Sequence, residues 1–155
     1  PIPEKTSGKS GARLMSLRHP ENKMSKSSDD INGTIYFNDE KDNILKKFKS
    51  SVTDSENIVR YDPKNKPGIS NLIEIYAAVN DKEISDTEKE FENSQYGEFK
   101  IAVAETVIDY LDPIKKNFDD LTSDNLEDIV VSNLKSAKDS AQKTIIEVEE
   151  ALGIS

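Results

Sequence analysis

The last third of the chain repeats apolar residues at the spacing of an α-helix, and no other feature of the sequence restricts the fold as strongly. Asp124 precedes this pattern as a candidate N-cap, and Gly153 follows it as a candidate C-terminal stop. Spacings of three and four residues place the apolar side chains on one helix face. That face comprises Leu126, Val130, Leu134, Ala137, Ala141, Ile145, Val148 and Leu152. The pattern predicts one long helix whose apolar stripe belongs to a core.

Four further segments are predicted to be helices: three show the same periodicity, and the short charged one begins with the spacing of a capping box. They cover about 40–51, 70–79, a short charged stretch from residue 85, and 98–121. Asp39, Ser70 and Ser85 stand where N-caps are expected. Pro113 lies inside the last of these segments and should kink or split the helix. The sequence therefore predicts a mainly α fold.

One segment near the N-terminus predicts a strand. Ala12 to Leu17 is short and largely apolar, as expected for a parallel strand of an α/β nucleotide-binding fold, in which ligands bind beyond the carboxyl ends of the strands. Such a strand needs neighbours, and the sequence contains no convincing set of them. We therefore expect the catalytic core to lie upstream and the chain from Pro1 to be a fragment.

Composition restricts the class of protein. The chain has 155 residues, 34% hydrophobic and 33% charged, which is sufficient for one globular domain. It contains no cysteine, which excludes disulfides and thiolate metal sites and agrees with a reducing cytoplasm. No apolar run approaches the roughly 20 residues of a membrane span. We expect a cytoplasmic protein with no membrane partner.

The charge is distributed unevenly. Residues 1–27 hold six basic and two acidic side chains, a net charge of +4. The remaining 128 residues hold 15 basic and 28 acidic side chains, a net charge of −13. Positive potential is therefore concentrated near the N-terminus, where an anion would be attracted. The acidic remainder is an unusual feature for a nucleic-acid binder, since phosphate contacts dominate that affinity.

The segment Lys23-Met24-Ser25-Lys26-Ser27, here called the lysine loop, is the strongest candidate for a binding site. Each lysine supplies three donors on a long flexible stem, and the serines add neutral donors. Asp29 or Asp30 can cap the segment that follows. This composition suits a mobile loop that clamps a polyphosphate. A solvated linker has a similar composition, so the residues alone leave both interpretations open.

The order of several segments resembles the C-terminal half of bacterial tryptophanyl-tRNA synthetases, which are class I aminoacyl-tRNA synthetases. The lysine loop marks the class, and two later segments, Thr53–Glu56 and Pro67–Asn71, favour the tryptophan branch. The resemblance extends from about Gly11 to Gly153. Its segments are Gly11–Leu17, Lys23–Ser27, Val52–Glu56, Ile58–Asp62, Lys66–Leu72 and Tyr96–Lys100.

The resemblance implies a fold and two domains. Residues 1–38 are expected to be the end of a Rossmann-type α/β catalytic domain, namely its terminal strand and mobile ATP loop. Residues 39–155 are expected to form an α-helical domain that binds the tRNA anticodon.

The resemblance also implies an activity. The tryptophan carboxylate would attack the α-phosphate of ATP, and the aminoacyl group would then pass to tRNA(Trp). Lys23 and Lys26 would neutralise the departing pyrophosphate together with Mg²⁺, which arrives with the nucleotide. Leu14 would offer its backbone to the adenine, with Met24 packing nearby. Ser25 and Ser27 complete the implied ATP-binding set, and no residue of this chain is expected to hold a metal by itself.

The expected partners are tRNA(Trp), ATP, and tryptophan bound by the missing N-terminal part, with a homodimer in the full enzyme. The family's second ATP motif, of the His-Ile-Gly-His type, has no counterpart here, so the isolated chain is expected to be inactive. Tyr61 and Tyr96 could stack on anticodon bases. The basic candidates for tRNA contact are Lys46, Lys47, Lys49, Arg60, Lys64, Lys66, Lys115 and Lys116.

Two alternatives stay open at this point. A tyrosyl-tRNA synthetase has a similar loop. A non-enzymatic, acidic helical interaction module with a Lys/Ser arm would share the composition.

Overall fold

The computed structural model describes residues 13–121 and 123–154, with the backbone alone for residues 123–125. The described residues form five α-helices and no regular strand, which confirms the mainly α prediction. A 3₁₀ turn at Ile31–Gly33 precedes the first helix. The helices are α1 (Lys41–Lys49), α2 (Pro67–Val79), α3 (Ile84–Glu90), α4 (Tyr96–Asp119) and α5 (Ser123–Leu152).

The chain divides into two compact units, one ending at Lys115 and the other beginning at Lys116. The core of the first unit is built around α2, because nine of the thirteen residues of this helix are buried. Ile69, Leu72 and Ile73 have no exposed surface at all. Phe48 from α1 and Phe99 from α4 belong to the same core and are equally buried.

The predicted strand at 12–17 is not formed in the described residues, and Ala12 lies outside them. Met15 instead makes an isolated antiparallel bridge with Lys23. The Ser16 amide donates to the Asn22 carbonyl at 2.8 Å, and the Leu17 amide donates to the Gly33 carbonyl at 2.9 Å. A tight turn and side chains thus satisfy the hydrogen bonds that neighbouring strands would otherwise take. The prediction of a strand was therefore wrong in this detail.

Three helices begin at other residues than predicted. Glu83 rather than Ser85 occupies the N-cap of α3, and its side chain makes no cap hydrogen bond. Glu40 occupies the N-cap of α1 without a side-chain bond, and Asp39, the predicted cap, instead accepts from the Lys47 ammonium at 2.6 Å. Pro67 starts α2, where its missing N–H costs nothing. Ser70 therefore lies within the first turn of α2, and its hydroxyl accepts from the Asp62 amide at 2.8 Å.

The two C-terminal helices cover about the residues that the sequence pattern predicts, but their apolar faces are not buried along their whole length. α4 continues through Pro113, and Gly153 ends α5 with a φ of +67°, as predicted. The predicted core stripe of α5 is exposed; Leu134, for example, is 66% exposed. A 30-residue helix is about 45 Å long, and the second unit contains little else to cover it. The side chain of Asp124 lies outside the described residues.

No helix of the described residues combines the length and the apolar character that crossing a membrane requires.

Gly68, the second residue of α2, lies against the backbone of the preceding loop. A Cβ atom at this position would come within 2.1 Å of the Val52 carbonyl oxygen, so the loop and the helix could not both keep their places. Gly97, the second residue of α4, has nothing within 4 Å of the equivalent point. The two glycines therefore form a matched pair.

We predict that Gly68→Ala lowers the free energy of unfolding by about 2–3 kcal/mol, because the overlap with backbone forces a shift in a packed core. Gly97→Ala should be neutral or stabilise by at most about 1 kcal/mol, through its higher helix propensity. Urea unfolding followed by circular dichroism measures both. Equal unfolding free energies for the two variants would contradict the close approach at Gly68.

Candidate functional site

The lysine loop begins at the bridge between Met15 and Lys23. Two backbone hydrogen bonds flank this bridge: the Met24 amide donates to the Leu14 carbonyl at 2.9 Å, and the Ser16 amide donates to Asn22. Leu14 and Met24 are half-buried and pack against the core. The structure therefore brings three of the predicted site residues, Leu14, Lys23 and Met24, side by side.

A side chain from α2 holds the base of this loop. The Met15 amide donates to Asn71 Oδ1 at 2.8 Å, and Asn71 Nδ2 donates to the Met15 carbonyl at 2.8 Å. Asn71 is only 3% exposed. Sequence reasoning assigned Asn71 no role in the site. Its one signal was a polar residue between the apolar residues of α2.

The far end of the loop is held by two hydroxyl groups. Thr34 Oγ1 donates to the Ser25 carbonyl at 3.0 Å, and Tyr36 Oη donates to the Lys26 carbonyl at 3.3 Å. The buried Lys47 donates to the Thr34 carbonyl at 2.8 Å and so fixes this segment on α1. Lys47 was predicted to be a candidate for tRNA contact. It is instead 3% exposed and paired with Asp39, so it is not available to tRNA.

The ammonium groups of the loop are presented to solvent. Lys23 and Lys26 are exposed, whereas Ser25 is half-buried and its hydroxyl lies 3.0 Å from the Ser27 hydroxyl. Neither lysine forms an ion pair with an acidic side chain of the described part of the chain. The loop therefore offers two unneutralised cations on an anchored backbone.

A second polar cluster surrounds Lys66, which is 1% exposed. Its ammonium group donates to Asp54 at 3.0 Å and to the Tyr96 hydroxyl at 2.8 Å, and it lies 3.0 Å from Glu56. Burial acts to lower the pKa of Lys66, but the bonds to Tyr96, Asp54 and Glu56 outweigh burial and raise it. Lys66 stays charged and serves the fold, and Tyr96, only 6% exposed, offers no ring face to a base.

The other basic candidates for tRNA contact are exposed or partly exposed, and Tyr61 is half-buried against the core. Arg60 pairs with Asp62 at 3.3 Å, and Lys115 pairs with Glu40 at 2.7 Å. Tyr61 donates its hydroxyl to Glu74 at 2.7 Å, and this bond and burial raise the pKa of Tyr61 to about 12. Lys46, Lys49, Lys64 and Lys116 are exposed.

Within the described residues, no group of three or more histidine, aspartate or glutamate side chains is arranged to hold a metal ion.

Comparison with known proteins gives consistent matches. The family described as tRNA synthetases class I (W and Y) matches residues 3–112. A tryptophan–tRNA ligase of Oceanobacillus iheyensis is 46% identical over 99% of this chain and 47% of the relative. One of Bacillus subtilis is 42% identical over the same shares. The chain thus spans about half the length of the curated relatives it matches.

One solved structure gives the same result for the fold. Tryptophanyl-tRNA synthetase from Mycoplasma pneumoniae superposes with a TM-score of 0.83 at 27% identity, over 96% of this chain and 45% of the other.

We predict that Asp54→Asn destabilises the fold at neutral pH by about 1.5–3 kcal/mol, the range for a hydrogen bond to a charged group. Burial acts to raise the pKa of Asp54, but bonds from Lys66, the Glu56 amide and Tyr96 outweigh it and hold the pKa below the ordinary 3.8. Stability from this carboxylate is therefore present above about pH 4 and lost as the pH falls through the folded-state pKa.

Urea midpoints at pH 7 and pH 3 measure this effect, with the exposed Asp109→Asn on α4 as the matched control. The difference between Asp54→Asn and the parent should shrink at pH 3, and the control should match the parent at both values. A difference for Asp54→Asn that stays constant with pH would contradict the charged network.

Proposed function

The chain belongs to the class I tRNA synthetases of the W and Y type, and from this premise we propose that it works as part of a tryptophan–tRNA ligase. Its lysine loop would bind the phosphates of ATP, and its helices would bind tRNA(Trp). The tryptophan-ligase relatives, 40–46% identical over nearly the whole chain, support the tryptophan branch over tyrosine.

The observation that carries this proposal is the contrast between the lysines of the loop and the two buried lysines, Lys47 and Lys66. Lys47 and Lys66 are buried and paired, whereas Lys23 and Lys26 are exposed on a backbone that is anchored at both ends. A cation that is already neutralised by carboxylates has little to offer a phosphate. Two unneutralised cations on an ordered base suit an anion that carries several charges.

In the proposed chemistry, the positive charge of the two lysines lies close to the negative charge that develops on the leaving group. The carboxylate oxygen of tryptophan attacks the α-phosphorus of ATP, and the bond to the bridging oxygen of the diphosphate breaks. Pyrophosphate leaves with the bonding electrons, so negative charge grows on its oxygens. Lys23 and Lys26 stabilise that charge, which accelerates the step if their contacts strengthen in the transition state. Mg²⁺ bound to the nucleotide would add further positive charge there.

We propose that the helical part binds tRNA(Trp) through its exposed basic residues. Lys46 and Lys49 lie on one exposed side of α1, and Lys64 and Lys116 are further exposed candidates. The contact of Leu14 with adenine, the domain boundary after residue 38, the homodimer and the cytoplasmic location stay predictions from the resemblance.

We predict that Lys26→Ala in a complete ligase that carries this chain lowers the rate of tryptophan-dependent ATP–pyrophosphate exchange by roughly a hundredfold. The KM for ATP should change much less, because the contact acts mainly on the leaving group. Lys89→Ala is the matched control, since Lys89 is an exposed lysine on α3 that pairs with Asp86. Its rate should equal that of the parent.

Equal exchange rates for Lys26→Ala and the parent would contradict the clamp. Activation of tyrosine in place of tryptophan by the parent would instead favour the tyrosine branch. A parent with no exchange at all would favour the non-enzymatic interaction module.

A further inference from the structure

We propose that Asn71 is a positioning residue for the adenylation step, because its carboxamide fixes the segment that places Lys23. This inference rests on the proposed function of the lysine loop. It gives a buried side chain of the helical core a part in the reaction with ATP.

The hydrogen bonds around Met15 have a defined direction. Met15 and Lys23 face each other in an antiparallel bridge, and the bonds of the bridge are made by the residues next to them. In such a pair, the N–H and C=O groups of the facing residues point away from each other. The N–H and C=O of Met15 therefore point away from Lys23, and Asn71 lies on that side.

Asn71 satisfies both of these groups. Its Oδ1 accepts from the Met15 amide and its Nδ2 donates to the Met15 carbonyl, each at 2.8 Å. A carboxamide has the donor and acceptor of a peptide group, so Asn71 takes the place that a residue of a neighbouring strand would occupy. This explains how a single extended residue stays ordered where the predicted sheet is absent.

Asn71 can hold Met15 in a fixed position because its side chain is buried in the core. It is 3% exposed, and its neighbour Leu72 has no exposed surface. Its side chain cannot move without disturbing the core. Two hydrogen bonds to one residue restrict both the shift and the tilt of Met15, and the bridge passes this restriction to Lys23.

Position matters for a group that stabilises a leaving anion. Donors that are already in place when charge develops need no reorganisation during the reaction. A displacement of about 1 Å can lower a rate on the order of a hundredfold. Loss of the Asn71 bonds would leave Lys23 present and charged but free to shift. The expected effect is therefore on turnover rather than on binding of tryptophan.

The test uses two substitutions and a control on the same helix. Asn71→Ser removes the carboxamide with a small neutral side chain, and Asn71→Asp keeps the shape and the acceptor but loses the donor. Asn80→Asp is the matched control, because Asn80 Nδ2 donates to the Tyr76 carbonyl at the other end of α2. Circular dichroism and thermal midpoints establish that each variant is folded, and if Asn71→Asp fails to fold, Asn71→Ser decides.

The first readout is amide hydrogen exchange in this chain, measured by NMR. The amides of Ser16 and Met24, which hold the bridge, should exchange roughly tenfold faster in the Asn71 variants, because two hydrogen bonds that order the segment are lost. Asn80→Asp should leave both amides at the parent rate. Parent rates at both amides in folded Asn71→Ser would overturn the proposal.

The second readout is pyrophosphate exchange by a complete ligase that carries the chain. The kcat of the Asn71 variants should fall at least roughly tenfold, with the KM for tryptophan within about twofold of the parent. Asn80→Asp should match the parent. Faster amide exchange with an unchanged kcat would overturn the positioning role while leaving the proposed function intact. A parent without activity would overturn the proposed function itself.

Discussion

The burial of α2 is the constraint on which the rest of the first unit depends. A helix enclosed on most of its surface must satisfy its polar side chains with partners inside the protein, since an unpaired buried polar group costs about 1–3 kcal/mol. The partners used here come from segments outside the helix. Asn71 binds Met15, Ser70 binds the Asp62 amide, and Glu74 accepts from Tyr61. The polar residues of α2 thereby place the loops around it.

Buried lysines also need partners inside the protein. A buried ammonium group is tolerated only when carboxylates and other acceptors surround it. Lys66 meets this condition with Asp54, and Lys47 with Asp39. One lysine fixes the loop before α2 and the other fixes the segment that follows the lysine loop. These two cations hold the backbone in place, and the exposed Lys23 and Lys26 are left for a ligand.

Much of the fold could be predicted from local patterns. Four of the five helices follow from apolar periodicity, the short charged α3 was predicted from a local capping pattern, and the end of α5 follows from Gly153. All of these signals depend on residues close in sequence. The predicted strand failed because a strand depends on partners that sequence spacing does not show. The stripe of α5 was predicted to be core for a related reason: periodicity indicates which face is apolar, not what covers it.

The candidate site was also predictable only where it depends on residues close in sequence. Lys23 and Lys26 could be identified because a lysine loop is continuous in sequence. Lys47 was predicted to be a candidate for tRNA contact, and Asn71 was given no role in the site. The partners that fix these side chains, Thr34 and Met15, lie 13 and 56 residues away. Contacts of this kind require the three-dimensional structure.

The most direct measurement of the central claim is the chemical reactivity of individual lysines in a complete ligase that carries this chain. Acylation of ammonium groups, read by mass spectrometry with and without ATP and Mg²⁺, reports which lysines a polyphosphate covers. The account predicts that ATP protects Lys23 and Lys26 and leaves the exposed Lys138 of α5 unchanged. Unchanged reactivity of Lys23 and Lys26 while ATP is bound would contradict it.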